Sequence, residues 1–261
     1  MANPLYGSNK FDNLAATVIG DPGSADGGTF NFDDLPIVGD HGGVDTASTV
    51  HLYNNGLKLY VQNIGTQTAG TAAPAGNAIG IDYSYDGANN EGVQWALADA
   101  SCKGVVSGSR IQKYTVGSDA FFAKMTFKIT DVSDTDDLHF GFRKVEAFQA
   151  AVDDYDEAAG IGIVTGGGSS DGLQKVCTIL NGGSTSETTT TESLSDGAIV
   201  SWGVKVAASG ATTFEIDGAA PDATASFTFD QGEVVTPYMY ALHGTASSMG
   251  LILMQLEHGR Q

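Results

Sequence analysis

Proline, cysteine and basic residues are the scarce components of this chain. Six prolines stand against 35 glycines with no Gly period of three, which excludes a collagen helix. The two cysteines, Cys102 and Cys177, cannot build a disulfide scaffold, so free thiols are expected, in keeping with assembly in a reducing cytoplasm. Twelve Lys and Arg against 31 Asp and Glu leave a formal charge of −19. The basic residues are scattered singly, so no cluster exists that could displace counterions from a nucleic acid. No apolar run reaches the roughly 18 residues of a membrane-spanning helix, and no membrane partner is expected. The opening MANPLYGSNKFDN has neither a basic nor an apolar leader segment, so no secretory signal is expected.

What remains is 41% hydrophobic and rich in Gly, Ala, Ser, Thr and Asp, the composition of many short strands joined by turns. The stretch 119–143, DAFFAKMTFKITDVSDTDDLHFGFR, shows this best. Phe121, Ala123, Met125, Phe127 and Ile129 share one parity; Phe122, Lys124, Thr126 and Lys128 share the other. Leu138, Phe140 and Phe142 repeat the alternation after an acidic turn. A period of two marks strands with one face in a core. The pair is expected to form a hairpin at the centre of an antiparallel β-sandwich.

Residues 1–48 carry turn clusters and little alternation, and read as an extended N-terminal arm with at most a short strand near Thr29–Phe32. An arm of this kind lies on its own sandwich or on a neighbouring subunit. Residues 49–261 read as the sandwich, with a leading hairpin and strands over 49–118 and the core over 119–261. In TVHLYNNGLKLYV, a two-residue Asn55-Gly56 turn pairs Leu52 with Leu59. Further strands are expected at Ala78–Tyr85, Val93–Ala98, Ala159–Thr165, Leu173–Leu180, Thr185–Thr191, Ala198–Ala207, Thr212–Asp217, Val234–Leu242 and Gly250–Glu257. Between Val145 and Asp156 the apolar spacing of Val145, Phe148 and Val152 suggests one or two helical turns.

Few residues combine into chemistry. No Gly-x-Ser-x-Gly elbow is present, and the five histidines fall in separate segments, with no spacing that indicates zinc. Asp134, Asp136 and Asp137 cluster in one turn, and Asp153, Asp154 and Asp156 in another. Hard oxygen donors in loops suit calcium, although neither cluster has the EF-hand spacing and a solvated acidic turn accounts for both. Trp95, Trp202, Tyr85, Tyr155 and Tyr238 are aromatic by type for stacking on a sugar. The tryptophans sit on alternating strands and are expected in the core, whereas Tyr155, flanked by acids, is the exposed candidate.

The series FFAKMTFKITDVSDTDDLHFGFR, AGIGIVT, KVCTILNGG, LSDGAIVSWGVKVAASGATTFEIDG and VVTPYMYALHG resembles the concanavalin A-like (laminin-G-like) jelly roll over about residues 119–258. Phe214-Glu215-Ile216-Asp217-Gly218 matches the "xFxxDG" hairpin of that superfamily. The resemblance implies an all-β antiparallel sandwich and a rim that often binds calcium. Its glycosidase members carry Glu-x-Asp-x-x-Glu; here Glu215 and Asp217 are followed by Ala220, so the third carboxylate is missing and no enzyme activity is expected. The opening MANPLYGSNK is similar to the first residues of virion structural proteins of tailed bacteriophages. That resemblance implies a capsid decoration or cement protein, assembled in the host cytoplasm and carried on the virion surface. Its partners would be the major capsid protein or other virion subunits, and it would form a homo-oligomer, a dimer or trimer. The alternative is a carbohydrate-binding adhesin or fibre module that recognises a host glycan.

Overall fold

The structure is a computed structural model, and it describes residues 27–31, 49–52, 58–64, 72–74, 81–84, 92–98, 113–132, 135–164, 172–243 and 250–261. These form two antiparallel sheets packed face to face, an all-β sandwich of the jelly-roll kind. The seven-stranded sheet runs β14 (Thr212–Ile216), β13 (Ile199–Val206), β8 (Phe121–Ile129), β16 (Gly250–Arg260), β5 (Ile81–Ser84) and β4 (Ala72–Pro74), with β1 (Gly27–Asn31) beside β16. The nine-stranded sheet runs β12 (Ser186–Ser193), β11 (Leu173–Ile179), β10 (Ala158–Val164), β9 (Thr135–Lys144), β15 (Val234–His243), β6 (Gly92–Ala96), β3 (Lys58–Ile64) and β2 (Thr49–Leu52). The short β7 (Tyr114–Thr115) pairs with β15.

The expected strands from Ala78 onward are all present within a few residues of their bounds. The alternation on β8 holds at every position: Phe121, Ala123, Met125, Phe127 and Ile129 are buried, and the intervening residues are half-buried. Each large apolar side chain removed from water in this way stabilises the fold by about 1.5–3 kcal/mol.

The expected hairpin over 119–143 is not one. β8 is hydrogen-bonded to β13 and β16, and β9 to β10 and β15, so the two strands lie in opposite sheets. Their apolar faces meet across the core, where the rings of Phe121 and Phe142 stand 5.0 Å apart, edge to face. The connection is an arch. The Asp196-Gly197 turn holds its start: Gly197 N donates to Ile129 O (2.9 Å), and Val132 N donates to Asp196 Oδ1 (2.9 Å). A hairpin and an arch demand the same period-two pattern, because each only requires both apolar parities to reach one core.

The register of β2 on β3 also differs from expectation. His51 pairs with Leu59 and Leu52 with Lys58, one residue away from the Leu52–Leu59 pairing of a two-residue turn. A slip of one residue exchanges the partners facing each side of the sheet. The turn itself, residues 53–57, lies outside the described residues. Within the expected arm, residues 27–31 add β1 to β16, with Gly27 opposite Gly259 and Asn31 opposite Gln255. That part of the arm lies on its own sandwich.

The one helix-like segment contains a single 3-10 turn, Val152–Asp154. Residues 145–157 form a strap over the outer face of the nine-stranded sheet, with Phe148, Val152 and Tyr155 packed on Tyr238, Tyr240 and Ala96. Its carbonyls serve side chains instead of an i+4 ladder. Arg143 Nη1 donates to Glu146 O (3.0 Å), Gln94 Nε2 to Gln149 O (2.7 Å), and Tyr240 Oη to Ala150 O (2.8 Å). Backbone acceptors engaged in this way satisfy the chain without a helix.

Candidate binding face

The residues outside the core on β8, β13, β14 and β16 compose one largely polar face, with Phe122 and Ile199 as apolar members. Register places them in rows. Glu215, Gly203, Lys124 and Glu257 stand abreast, as do Ser201, Thr126 and Gln255; Lys205 and Phe122 are opposite one another with Gly259 beyond. Successive residues on a strand face opposite sides, so the parity that buries Met125 and Trp202 delivers these groups outward. Lys205 Nζ ion-pairs with Glu215 Oε1, and the hydroxyls of Thr126 and Ser201 hydrogen-bond at 2.7 Å. Lys124 Nζ lies 4.0 Å from Glu257 Oε1, a pair at the outer limit of contact.

A shallow hollow of about 260 Å³ opens on this face, lined chiefly by Phe122, Lys124, Gly203, Lys205, Glu215 and Gln261. Gly203 leaves its floor free of a side chain. Gln261 N donates to Ala120 O (2.8 Å), which sets that residue at the rim. A partly exposed phenyl ring beside an amine–carboxylate pair and an amide offers apolar contact together with both donors and acceptors. Flat, polyhydroxylated molecules match that combination.

The sequence pairs two carboxylates at this place, Glu215 and Asp217, and the fold separates them. Glu215 faces the hollow, bound to Lys205. Asp217 lies beyond the strand end and accepts from Ser201 N at 2.9 Å. With Gly218 it forms a tight turn in which both residues take positive φ, 51° and 81°, the turn that an Asp-Gly pair favours.

The aromatic candidates fall out differently from expectation in one case. Trp95 and Trp202 are core residues, as expected, and Tyr238 is fully buried. Tyr155, the expected exposed platform, is fully buried as well: its hydroxyl donates to Gln94 Oε1 beneath the strap, and the Arg143 guanidinium lies over its ring, 4.6 Å from the centroid. Its acidic neighbours face solvent while the ring turns inward, because one residue in a strap can anchor it to the sheet. Tyr85 lies outside the described residues. Phe122 is the aromatic that sequence reasoning passed over as a site residue; its signal was an aromatic on the polar parity of β8.

Of the calcium candidates, Asp134 lies outside the described residues, and Asp136 is described only in its backbone. Asp137 pairs in register with Val164 and Leu242, and the step from Leu242 to His243 carries a bulge opposite Asp136. In the second cluster Asp153 and Asp154 are exposed, whereas Asp156 is bound by Lys144 at 2.7 Å. Among the described residues no three His, Cys, Asp or Glu side chains converge on a metal position.

The buried titratable groups are structural in their surroundings. Burial lowers His139 to about 4, and the Tyr238 hydroxyl bonds its Nδ1. Burial lowers His258 to about 3, with the Tyr114 hydroxyl 2.6 Å from Nδ1. Burial also pushes the Cys177 thiol well up, away from the thiolate a nucleophile requires. Cys102 lies outside the described residues.

The sequence matches no protein-family profile and no curated protein. Among solved structures, the chain is similar to a protein of unknown function from Shewanella oneidensis MR-1, at 12% identity and a TM-score of 0.53, covering 89% of this chain and 85% of that one. It also aligns with a structure of botulinum neurotoxin type C, a protein whose cell entry depends on two ganglioside molecules, at 10% identity, TM-score 0.46, and 88% and 49% coverage. A galectin of Caenorhabditis elegans aligns at 13% identity, TM-score 0.35, and 56% and 87% coverage. Likeness at such identity shows the fold alone, an antiparallel two-sheet sandwich.

Proposed function

We propose that this chain is a non-enzymatic recognition module that binds a glycan through the hollow on the outer face of its seven-stranded sheet. The observation that carries this reading is Phe122, an aromatic on the solvent side of β8, set beside a glycine floor and the Lys205–Glu215 pair. Glycan recognition needs stacking area and paired donors and acceptors, and no proton transfer. Glycosidic cleavage would need two carboxyl groups across one bond, and Glu215 has Lys205, not a second acid, as its partner. The resemblance of MANPLYGSNK to virion proteins would set the module on a phage particle, as part of a fibre or adhesin. A glycan array tests the reading. Binding by the wild type that Phe122→Ala removes supports it, and silence across the array refutes it. Hydrolysis of a polysaccharide that is lost in Glu215→Gln would overturn its non-enzymatic part.

A second reading, a decoration subunit held on a capsid, is favoured by Leu180 and Ile199, which stay 53% and 56% exposed. Large apolar side chains at the surface suit contact with a shell or with a second copy. Gel filtration and capsid binding, with and without residues 1–48, test the arm's part in assembly. Unchanged assembly in both would exclude that part.

A further inference from the structure

The root of the strap gathers charge from several elements. Lys144, the last residue of β9, donates its backbone N–H to Glu157 O at 2.9 Å. Its Nζ lies 2.7 Å from Asp156 Oδ2 and 3.3 Å from Glu233 Oε1. Val145 N donates to Val234 O (2.9 Å), Asp156 N to Glu146 Oε1 (2.9 Å), and Gly182 N to Asp156 O (2.8 Å). Both ends of the strap and the approach to β15 therefore meet at one point. Glu157 is only 3% exposed, its carboxyl group is within hydrogen-bonding reach of that of Glu233, and among the described residues neither Oε2 atom, both buried, has a donor.

Two carboxyl groups in contact cannot both ionise at low cost, and an oxygen without a donor is expensive to bury. One proton between them answers both problems. We propose that Glu157 and Glu233 share a proton and so form a pH-sensitive clasp at the root of the strap, closed while the proton is held and loosened when it leaves. The groups facing the pair are Lys144 from β9, Asp156 from the strap with Glu146 behind it, and Asp230 from the turn before β15. Among the described residues the positive charge beside the pair is Lys144, and it already serves Asp156 and Glu233. Burial first, then Glu233, raises the acid of Glu157 from 4.5 to about 8.

The sign follows. Between about 4.5 and 8 the closed strap holds a proton that an open, solvated strap releases, so rising pH favours opening across that window. What opens is the cover of an unusual surface. Arg143 sits beneath it, with its guanidinium 5.2 Å from the Phe148 ring centroid and 5.9 Å from that of Tyr238. Loss of the strap would present a cation and aromatic rings on the face opposite the hollow.

Hydrogen exchange on the full chain from pH 5 to 9, corrected for intrinsic rates, tests the clasp. Amide protection at Val145, Asp156 and Gly182 should fall by up to about tenfold per pH unit through the window, while β8 and β13 stay unchanged. Glu157→Gln and Glu233→Gln should each flatten the profile. A flat wild-type profile, or an equal slope in both variants, overturns the proposal. Recovery of protection at pH 9 by millimolar calcium would also overturn it, since the pair would then hold a cation. The wild-type profile decides the matter even if neither variant folds, and a silent glycan array would leave it standing.

Discussion

Trp202 on β13 donates its indole N–H to Gln174 Oε1 on β11 at 2.5 Å, a hydrogen bond that joins the two sheets through the middle of the core. Both residues are buried, and each is the other's means of entering an apolar interior.

Removing both partners should therefore cost less than the sum of removing each. Gln174→Leu leaves the indole N–H without an acceptor and should lower the unfolding free energy by about 1–3 kcal/mol. Adding Trp202→Phe to Gln174→Leu should cost less than the sum of the single changes. Urea denaturation of the four proteins measures the coupling, and strict additivity would show that the bond contributes nothing.

The buried ionisable groups set opposing slopes on stability against pH. His139 and His258, at about 4 and 3 when folded against 6.5 when unfolded, bind protons only on unfolding, so stability falls as pH drops below about 6.5. Glu157, at about 8 against 4.5, works the other way, and stability falls as pH rises from 4.5 to 8. Below 6.5 two histidines oppose one glutamate, and above it the glutamate acts alone. The urea midpoint should therefore peak near pH 6.5, and a midpoint still climbing at pH 8 would contradict this balance.

Close approach of β9 and β10 depends on glycine. A Cβ at Gly141 would lie 2.1 Å from the carbonyl oxygen of Ala159, and one at Gly160 2.2 Å from that of Phe140. Backbone cannot retreat from such a contact without parting the strands. Gly141→Val should cost more than about 4 kcal/mol, the range of severe core defects, as read by thermal melting. A near-native melting temperature would refute the tight pairing.

Gly203 offers the contrasting case. A Cβ there would meet Glu215 at 3.4 Å, an ordinary contact, so Gly203→Ala should leave stability within about 0.5 kcal/mol. It would nonetheless raise the floor of the hollow. Glycan binding should weaken by about tenfold, or 1.4 kcal/mol, in a protein that melts as the wild type does. Undiminished binding would move the site elsewhere.

The sequence by itself determined the all-β class, the positions of the strands from Ala78 onward, and the core parity of β8, of β9 from Leu138 to Phe142, and of Phe214 and Ile216 on β14. Period-two alternation and turn residues are local properties, legible wherever one side of a strand is buried. Placement of Trp95 and Trp202 in the core followed from the same pattern. Only the tertiary structure decided that β8 and β9 belong to different sheets, because hydrogen-bond partnership is chosen by distant strands such as β13, β15 and β16. The same holds for Tyr155, whose burial depends on Gln94, 61 residues away in the chain, and on Arg143 beneath the strap. The hollow beside Phe122 was likewise hidden, since its walls come from β8, β13, β14 and Gln261, and only the packed sheet brings them to one place.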